Sequence, residues 1–441
     1  MAKHRKFNWR PGVVLLALTV TITLAQESWK GTQLIATPED DWPMDIQLGQ
    51  SGEIGIVGYT RGRLGSKPSL GGRDGFITVL DSSGETRWTQ QFGGKDNDIA
   101  FNLKADAKGE WYVSGETNRI PGRTDGSDGF LAKFNRDGKQ LWLKTFGTPL
   151  NDTPLGMDLD ASGNVIVAGE TLGVFDGQRS AGQRDLFVIK FKPDGQPLWT
   201  RQFGSRSPDE FDGGLAVDAQ GNIVIGGASD GAMPSEKGEG RMFVTKFDPT
   251  GKMLWMQRQG APEILSQDKT DVDFLGDLAI DAQGRIWAVG YTSGNLKPGA
   301  FRGTDDAILM RLSPDGQLEF VDQFGSSDYD ATFSVAIDKV GNVVVAGYTL
   351  LGGVFEGAPL VPTHPDPSEE SLLVKYDSSG KRLWFQQFGS QSENDEARQV
   401  TTDADGNIFV AGLTQGDIDG QTAQGGYDGY LMKFSPDGQK R

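Results

Sequence analysis

A short phrase repeats along the chain: an aromatic residue, three further residues and then usually Phe-Gly. It occurs six times, and its final glycines are Gly93, Gly147, Gly204, Gly260, Gly325 and Gly389. They follow one another at intervals of 54, 57, 56, 65 and 64 residues. One unit repeated at this spacing is typical of repeat architectures, in which each unit buries its apolar faces against its neighbours. The repeat therefore restricts the fold strongly, although it identifies no ligand.

Each unit predicts four consecutive β-strands joined by short connections. In the third unit the strands are predicted at 151–160, 165–171, 185–191 and 196–203, where apolar alternation and β-branched residues are frequent. Two tight turns recur in every unit, and here they contain Gly163 and Gly195. Glycine suits such hairpin turns because it adopts a positive φ at little steric cost. Seven copies of each turn predict seven antiparallel four-stranded sheets.

The two ends of the chain predict how the sheets are arranged. The seventh unit stops after its third strand at 428–434, so its fourth strand is missing. A fourth-strand phrase without preceding strands begins near the N-terminus, at Trp29. We therefore predict an all-β, seven-bladed β-propeller over residues 26–441, in which the N-terminal strand completes the last blade. Such closure hides a sheet edge that would otherwise promote aggregation.

Residues 1–25 predict a secretory signal peptide. Four basic residues precede an apolar run at 13–25, and Thr23 and Ala25 are small residues suited to cleavage after position 25. The run is shorter than the roughly 20 residues of a membrane span, so we expect no span once the signal is removed. The alternative is an uncleaved N-terminal anchor. In either case the pattern predicts an exported protein, located in the periplasm, at the cell surface or outside the cell.

Charge and cysteine content exclude several classes of function. The formal net charge is −17, and removing the four basic residues of the leader makes it −21. So acidic a protein repels nucleic acid and anionic lipid. The chain has no cysteine, which excludes disulfides, thiol catalysis and thiolate metal sites.

The repeat resembles the SBBP repeat of bacterial seven-bladed β-propellers. The matching features in the third unit are the turn from Asp160 to Asn164, the strand end Gly169-x-Thr171, the strand opened by Asp185, and the strand from Trp199 to Gly204. The resemblance covers about 29–438 and implies a propeller exported by a bacterium. It assigns no activity to particular residues.

Two acidic positions recur at the end of the sheets that carries the longer loops. The first opens the first strand, with members Asp41, Asp98, Asp152, Asp212, Asp273, Asp330 and Asp395. The second opens the third strand, with members Asp74, Asp128, Asp185, Asp306 and Asp428, and is interrupted by Arg241 and Ser371. Recurrence in every unit favours a structural role, in which each carboxylate accepts backbone N–H bonds and fixes a loop. The alternative is Ca²⁺ binding, with candidate ligands Asp98, Asp152, Asp212, Asp330 and Asp395.

The repeated aromatic residue predicts packing between blades rather than sugar stacking, because it lies in the middle of the outermost strand. Its members are Trp29, Trp88, Trp142, Trp199, Trp255, Phe320 and Trp384. The one histidine beyond the leader, His364, lies in a proline-rich insertion, and no nucleophile elbow accompanies it. We therefore interpret His364 as a loop residue and not as part of a catalytic triad.

These observations predict a binding or scaffold protein without catalysis or a cofactor other than a possible Ca²⁺. The partner would be a protein or glycan at the cell envelope, and the propeller would be a monomer. Loops of variable length on a rigid scaffold form the candidate surface, at 61–73, 118–127, 172–184, 230–240, 261–269, 293–303 and 352–370. The alternative function is a carboxylate-dependent, glycosidase-like hydrolase on the same scaffold.

Overall fold

All regular secondary structure in the described part of the chain is β-strand. The computed structural model describes residues 29–65, 68–118, 126–211, 213–261, 265, 273–350, 354–355, 358–359, 368–390 and 394–441. The strands form seven antiparallel four-stranded blades arranged as a propeller, which confirms the predicted fold. No helix among these residues is long and apolar enough to cross a membrane.

The blades follow one another in chain order, after a first strand, β1 (Gln33–Ile35), that belongs to the last blade. Blade one contains β2 (Asp41–Leu48), β3 (Ile54–Thr60), β4 (Asp74–Leu80) and β5 (Thr86–Phe92). Blade two contains β6 (Asp98–Ala105), β7 (Trp111–Thr117), β8 (Asp128–Phe134) and β9 (Gln140–Phe146). Blade three contains β10 (Asp152–Leu159), β11 (Val165–Thr171), β12 (Asp185–Phe191) and β13 (Pro197–Phe203).

The remaining blades include three short additional strands and one divided first strand. Blade four contains β14 (Asp209–Glu210), β15 (Leu215–Val217), β16 (Ile223–Ser229), β17 (Glu236–Lys237), β18 (Met242–Phe247) and β19 (Met253–Gln259). Blade five contains β20 (Phe274–Ile280), β21 (Ile286–Thr292), β22 (Asp306–Leu312) and β23 (Leu318–Phe324). Blade six contains β24 (Asp330–Ile337), β25 (Val343–Leu350), β28 (Glu369–Tyr376) and β29 (Arg382–Phe388), with the hairpin β26 (Val354–Phe355) and β27 (Ala358–Pro359). Blade seven contains β30 (Asp395–Thr402), β31 (Ile408–Thr414) and β32 (Asp428–Phe434).

Burial follows the position of each strand within its blade. The first strands line a central channel, and the fourth strands lie on the outside, where β9 is mostly exposed. The second and third strands are sandwiched between blades, so every residue of β3, β4 and β12 is buried. Seven apolar clusters fill the seams, by which we mean the contacts between neighbouring blades. Each sheet thus depends on its neighbours to bury both of its faces.

The ring closes where the two ends of the chain meet. Strand β1 pairs antiparallel with β32, with Ile35 opposite Gly429, which confirms that an N-terminal strand completes blade seven. In blade two the repeated Phe146 lies opposite Gly129, the glycine that corresponds to Gly429. Ile35 therefore occupies the place of the repeated Phe in blade seven. By this register Trp29 lies two residues before the place of the repeated Trp and outside the strand.

The repeated aromatic residue lies against the next blade. At Gly138, in the turn between β8 and β9, an added Cβ would lie 2.6 Å from the indole of Trp88. The Trp88 indole N–H also donates a hydrogen bond to the carbonyl of Arg136 at 2.8 Å. The same close approach to a turn glycine is made by Trp29, Trp142, Trp199, Trp255, Phe320 and Trp384. Trp29 therefore reaches the corresponding place on blade one despite its shifted register.

A substitution in β1 tests closure. We expect Ile35→Ala to lower the free energy of unfolding by about 3 kcal/mol, because Ile35 is buried in the seam between blades seven and one. Leu141→Ala is the matched control: Leu141 lies in the outer strand β9 and is 45% exposed, so its loss should change stability by less than about 0.5 kcal/mol. Urea denaturation measures both values, and equal effects would contradict closure by β1.

A pair of glycine substitutions tests the contact between indole and turn. Gly138 and Gly177 have nearly the same φ, 79° and 73°, but no heavy atom lies within 4 Å of a Cβ added at Gly177. Both Gly→Ala changes strain the backbone by about 1 kcal/mol. We expect Gly138→Ala to cost roughly 2 kcal/mol more because it also displaces Trp88. Equal losses of stability in urea would show that the indole does not need this approach.

Candidate functional site

The aspartate at the start of each first strand fixes the connection from the preceding blade. Oδ2 of Asp152 accepts hydrogen bonds from the backbone N–H of Thr148 at 2.5 Å and from its hydroxyl at 3.0 Å. Asp98 accepts the Gly94 N–H at 2.7 Å and the Thr117 hydroxyl at 2.5 Å. A backbone N–H reaches the equivalent carboxylates of Asp41, Asp209, Asp273, Asp330 and Asp395. In every blade the N–H binds Oδ2, so one oxygen of each carboxylate fixes the connection, as a structural role requires.

The acid at the start of the third strand fixes the long loop that precedes it. Oδ2 of Asp74 accepts the Leu70 N–H and the Gln91 side-chain amide, each at 2.8 Å. The same glutamine position of the fourth strand donates to Asp185 and Asp306, at 2.7 and 2.8 Å. The loop, the third strand and the fourth strand are therefore joined at one carboxylate.

The structure corrects the assignment of both acidic series. In blade three, Asp152 lies opposite Thr171 at the end of the second strand. In blade four, Asp209 lies opposite Ser229 at the equivalent place. Asp209 therefore opens the first strand of blade four, where the sequence predicted Asp212. Asp212 lies outside the described residues. In blade six Glu370 lies opposite Thr349 and takes the third-strand place, so interpreting Ser371 as a break in the series was wrong. Connections of unequal length shift both positions along the sequence, which spacing alone cannot reveal.

The four Ca²⁺ candidates within the described residues do not form one site. Asp98, Asp152, Asp330 and Asp395 lie at four different seams, and each is bonded to N–H or hydroxyl donors. Ca²⁺ takes roughly six to eight oxygen ligands. The described part of the chain contains no group of three or more His, Cys, Asp and Glu side chains placed to hold a metal ion. Ca²⁺ binding stays a prediction, as does the loop role of His364, which lies outside the described residues.

The central channel opens at the end of the blades that carries the long loops. Its volume is about 440 Å³, and the first strands of all seven blades line it. We call the opening at this end the channel mouth, lined by Trp42, Met44, Phe274, Phe333 and Arg398 around a cavity of about 180 Å³. Unlike the aspartates, these residues do not recur from blade to blade.

A row of stacked side chains crosses the channel mouth. Trp42 stacks on Tyr59, with ring centroids 5.9 Å apart and planes 9° apart. The Arg398 guanidinium lies 5.8 Å from the Trp42 ring and 4.4 Å from the Phe333 ring, and Phe333 contacts Tyr348 at 5.6 Å. These residues come from blades one, seven and six, so the row joins three blades across the closing seam. Cation–π attraction holds the guanidinium between the two rings.

Two carboxyl groups lie beside this arginine. Glu396 forms an ion pair with Arg398 at 2.6 Å and is almost fully buried. Burial raises the pKa of Glu369 to about 7, and the negative charge and hydrogen-bonding contact of Glu396 contribute to that rise. Perturbed carboxyl groups of this kind are frequent at functional sites.

Blades three and four carry charged pairs at the same end of the ring, beside the starts of their first strands. Glu170 accepts the Phe211 N–H at 2.7 Å and pairs with Arg184 at 3.2 Å. Glu210 pairs with Arg241 at 2.6 Å. This end of the ring is thus asymmetric: the residues that line the mouth come from blades one, five, six and seven, whereas blades three and four carry the charged pairs.

The sequence analysis missed every residue of the channel mouth. Recurring positions do not reveal them, because Trp42 directly follows the first-strand aspartate of its blade, Phe333 and Arg398 lie three residues after theirs, and the residues at both places vary between blades. The available signal was the variation itself: the residue after each of these aspartates ranges from Ile99 to Trp42 and Glu396. Variation at one structural position of a rigid scaffold indicates a surface that is free to acquire specificity.

The buried aspartates predict a pH dependence of stability. Burial raises the pKa of Asp41 and Asp306 to about 6 and that of Asp330 to about 7. Their value in the unfolded chain is about 3.9, so the folded state binds more protons between pH 4 and 7. The free energy of unfolding therefore falls as the pH rises through 6 and 7.

We expect the wild type to have a lower Tm at pH 8 than at pH 5. In Asp330→Asn this difference in Tm should be smaller, because the amide does not lose a proton in that range. Asp137→Asn makes the same change of charge at an exposed turn and should keep the wild-type difference. Circular dichroism melts measure each Tm. An unaltered pH response in Asp330→Asn would contradict a contribution from Asp330.

The comparisons with known proteins agree with the architecture. The SBBP β-propeller repeat model matches residues 383–419. A regulatory protein, FlaEY of Caulobacter vibrioides, is 28% identical over 194 residues, which cover 43% of this chain and 20% of that protein. The matched region thus spans about one fifth of the length of that relative.

Solved structures with distant likeness include two from fungi. The WD40 domain of Neurospora crassa Pan2 is 10% identical, with 88% of each chain covered and a TM-score of 0.46. Sqt1 from Chaetomium thermophilum is 10% identical over 94% of this chain and 86% of that chain, with a TM-score of 0.48. The repeat match and the seven blades together show a β-propeller that contains a sequence matching the SBBP repeat.

Proposed function

We propose that this chain is an exported binding protein that presents the channel mouth and the surrounding loops to a partner at the cell envelope, without catalysis of its own. The asymmetry of the mouth carries the proposal, because a ring that needed only stability could repeat one residue at each blade. Export is supported by the basic and apolar pattern of residues 1–25. The net charge of −17 argues against nucleic acid as the partner.

A protein is favoured over a glycan as the partner. A sugar ring stacks on an open aromatic face, but the faces of Trp42 are covered by Tyr59 and Arg398, and Phe333 is covered by Arg398 and contacts Tyr348. Arginine and aromatic residues are also enriched at the energetic centres of protein interfaces.

One observation favours a hydrolase as the second candidate. The neighbouring carboxyl groups of Glu369 and Glu396 include one with a pKa raised to about 7, as a general acid requires. The ion pair between Glu396 and Arg398 argues for a structural role, since that carboxylate is already bonded to the guanidinium of the stacked row. A glycosidase screen decides this point: turnover that is abolished by Glu369→Gln would replace the binding proposal with the hydrolase.

The binding proposal is tested by comparing two arginines. We expect Arg398→Ala to weaken binding of a partner captured from the native envelope by about tenfold, because the substitution breaks the stacked row. Arg201→Ala is the matched control, since Arg201 also stacks on an aromatic ring, Trp199 at 5.3 Å, but lies in the outer strand β13. Titration of the identified partner against the wild type and both variants measures the effect. Equal affinity of all three proteins would overturn the proposal, and a glycan-array signal sensitive to Arg398→Ala would change the partner class.

A further inference from the structure

A lysine at the closing seam, between blades seven and one, has lost the ion pair that other blades keep. In those blades a lysine of the third strand pairs with the aspartate of the turn between the first and second strands. The pairs are Lys133 with Asp106 at 3.3 Å, Lys190 with Asp160 at 2.8 Å, Lys246 with Asp218 at 2.9 Å and Lys375 with Asp338 at 3.1 Å. Lys433 and Asp403 hold these places in blade seven. Within the described chain Lys433 forms no ion pair, and its ammonium lies 4.9 Å from the ring of Phe409 and 5.8 Å from that of Trp29.

The indole of Trp29 has lost a hydrogen bond at the same seam. Three other indoles of the repeat donate to a turn carbonyl of the next blade: Trp88 to Arg136 at 2.8 Å, Trp199 to Pro249 at 3.2 Å and Trp384 to Pro436 at 3.2 Å. The N–H of Trp29, whose register is shifted by two places, is buried and finds no acceptor among the described residues. Burying a donor without an acceptor is unfavourable. The closing seam therefore holds two adjacent donors, an ammonium and an indole N–H, that both lack a negative or polar partner.

A cleft of about 450 Å³ opens beside these donors, at the end of the ring opposite the channel mouth. Lys433 and Phe409 form its wall on blade seven, and Trp29 packs against Phe409 with ring centroids 5.8 Å apart. The polar side chains of the lining come from turns of blades seven and one: Gln50, Ser51, Ser82, Thr402, Asp403 and Asp405. Small-molecule sites occupy roughly 300–1,000 Å³, so the cleft has the size of such a site.

We propose that this cleft binds a sugar acid, whose carboxylate accepts hydrogen bonds from Lys433 and Trp29 and whose hydroxyls contact the polar side chains of the two turns. A carboxylate has two acceptor oxygens and can therefore serve both donors. The carboxylates of Asp403 and Asp405 line the same cleft, so a single negative charge fits better than a phosphate dianion. They can also accept hydrogen bonds from hydroxyl groups, which favours a hydroxylated acid over a fatty acid. This site lies at the far end of the ring from the mouth and is independent of the proposed function.

Calorimetric titration of the full chain with sodium glucuronate at pH 7.5 tests the site. We expect the wild type to bind glucuronate, and glucuronamide, its neutral counterpart, to bind about tenfold more weakly. Lys433→Met keeps an apolar stem over the two rings but removes the ammonium, so it should raise the dissociation constant about tenfold. Lys139→Met is the matched control, because it removes the same charge at an exposed turn of blade two and should leave the affinity unchanged.

Three results of this titration would overturn the proposal: no binding of glucuronate, equal binding of glucuronamide, or undiminished binding to a folded Lys433→Met variant. The comparison with glucuronamide decides the point even if that variant fails to fold. N-acetylglutamate α-amide carries a carboxylate without the hydroxyls of a sugar. Tighter binding of this compound than of glucuronate would point to an acidic side chain of a protein and would also overturn the proposal.

A second pair of variants tests the indole. Trp29→Phe keeps an aromatic ring but removes the unpartnered N–H, so we expect it to weaken glucuronate binding about threefold. Trp88→Phe makes the same change at an indole that already donates to Arg136, and it should bind glucuronate as the wild type does. Equal affinity of both variants would contradict the role of Trp29 in the site. None of these outcomes bears on capture of a partner at the channel mouth, so the proposed function stands or fails separately.

Discussion

Packing between neighbouring blades is the interaction on which the rest of the structure depends. The second and third strands of the blades are almost entirely buried on both faces, so no sheet is complete without the sheets beside it. Strand β1 extends this dependence around the ring, because its pairing with β32 brings blade seven against blade one. The channel and its mouth exist only because that last seam forms. Stability and function therefore share one requirement, the closure of the ring.

The structure separates residues that recur from residues that vary. The recurring ones hold the ring: the aspartates bond loops to strands, and the aromatic residue of each outer strand lies against a glycine of the next blade. The varying ones meet at the channel mouth, where Trp42, Phe333 and Arg398 come from three blades. A repeat scaffold thus allows local change at one end, because most of the apolar contacts that close the ring lie deeper in the seams.

Much of the fold was predictable from local patterns, and most of the site was not. Turn glycines and strand periodicity each act within a few residues, so they predicted seven four-stranded blades and the closing strand. The predictions failed where connections change length: Asp209 and not Asp212 opens blade four, and Glu370 and not Ser371 takes the acidic place in blade six. The register of Trp29 also differed from the prediction. The pairing of β1 with β32, which are far apart in the chain, decides which residue of β1 takes each place.

The sequence by itself determined the repeat, the number of blades, the acidic charge and the means of closure. These follow from contacts between residues that are near in the chain or from one unit repeated seven times. Only the tertiary structure decided which side chains meet at the channel mouth and in the channel, since Trp42 and Arg398 are separated by more than three hundred residues in sequence. Their contact arises because ring closure brings the first and last blades together. The sequence pattern within either blade therefore could not predict it.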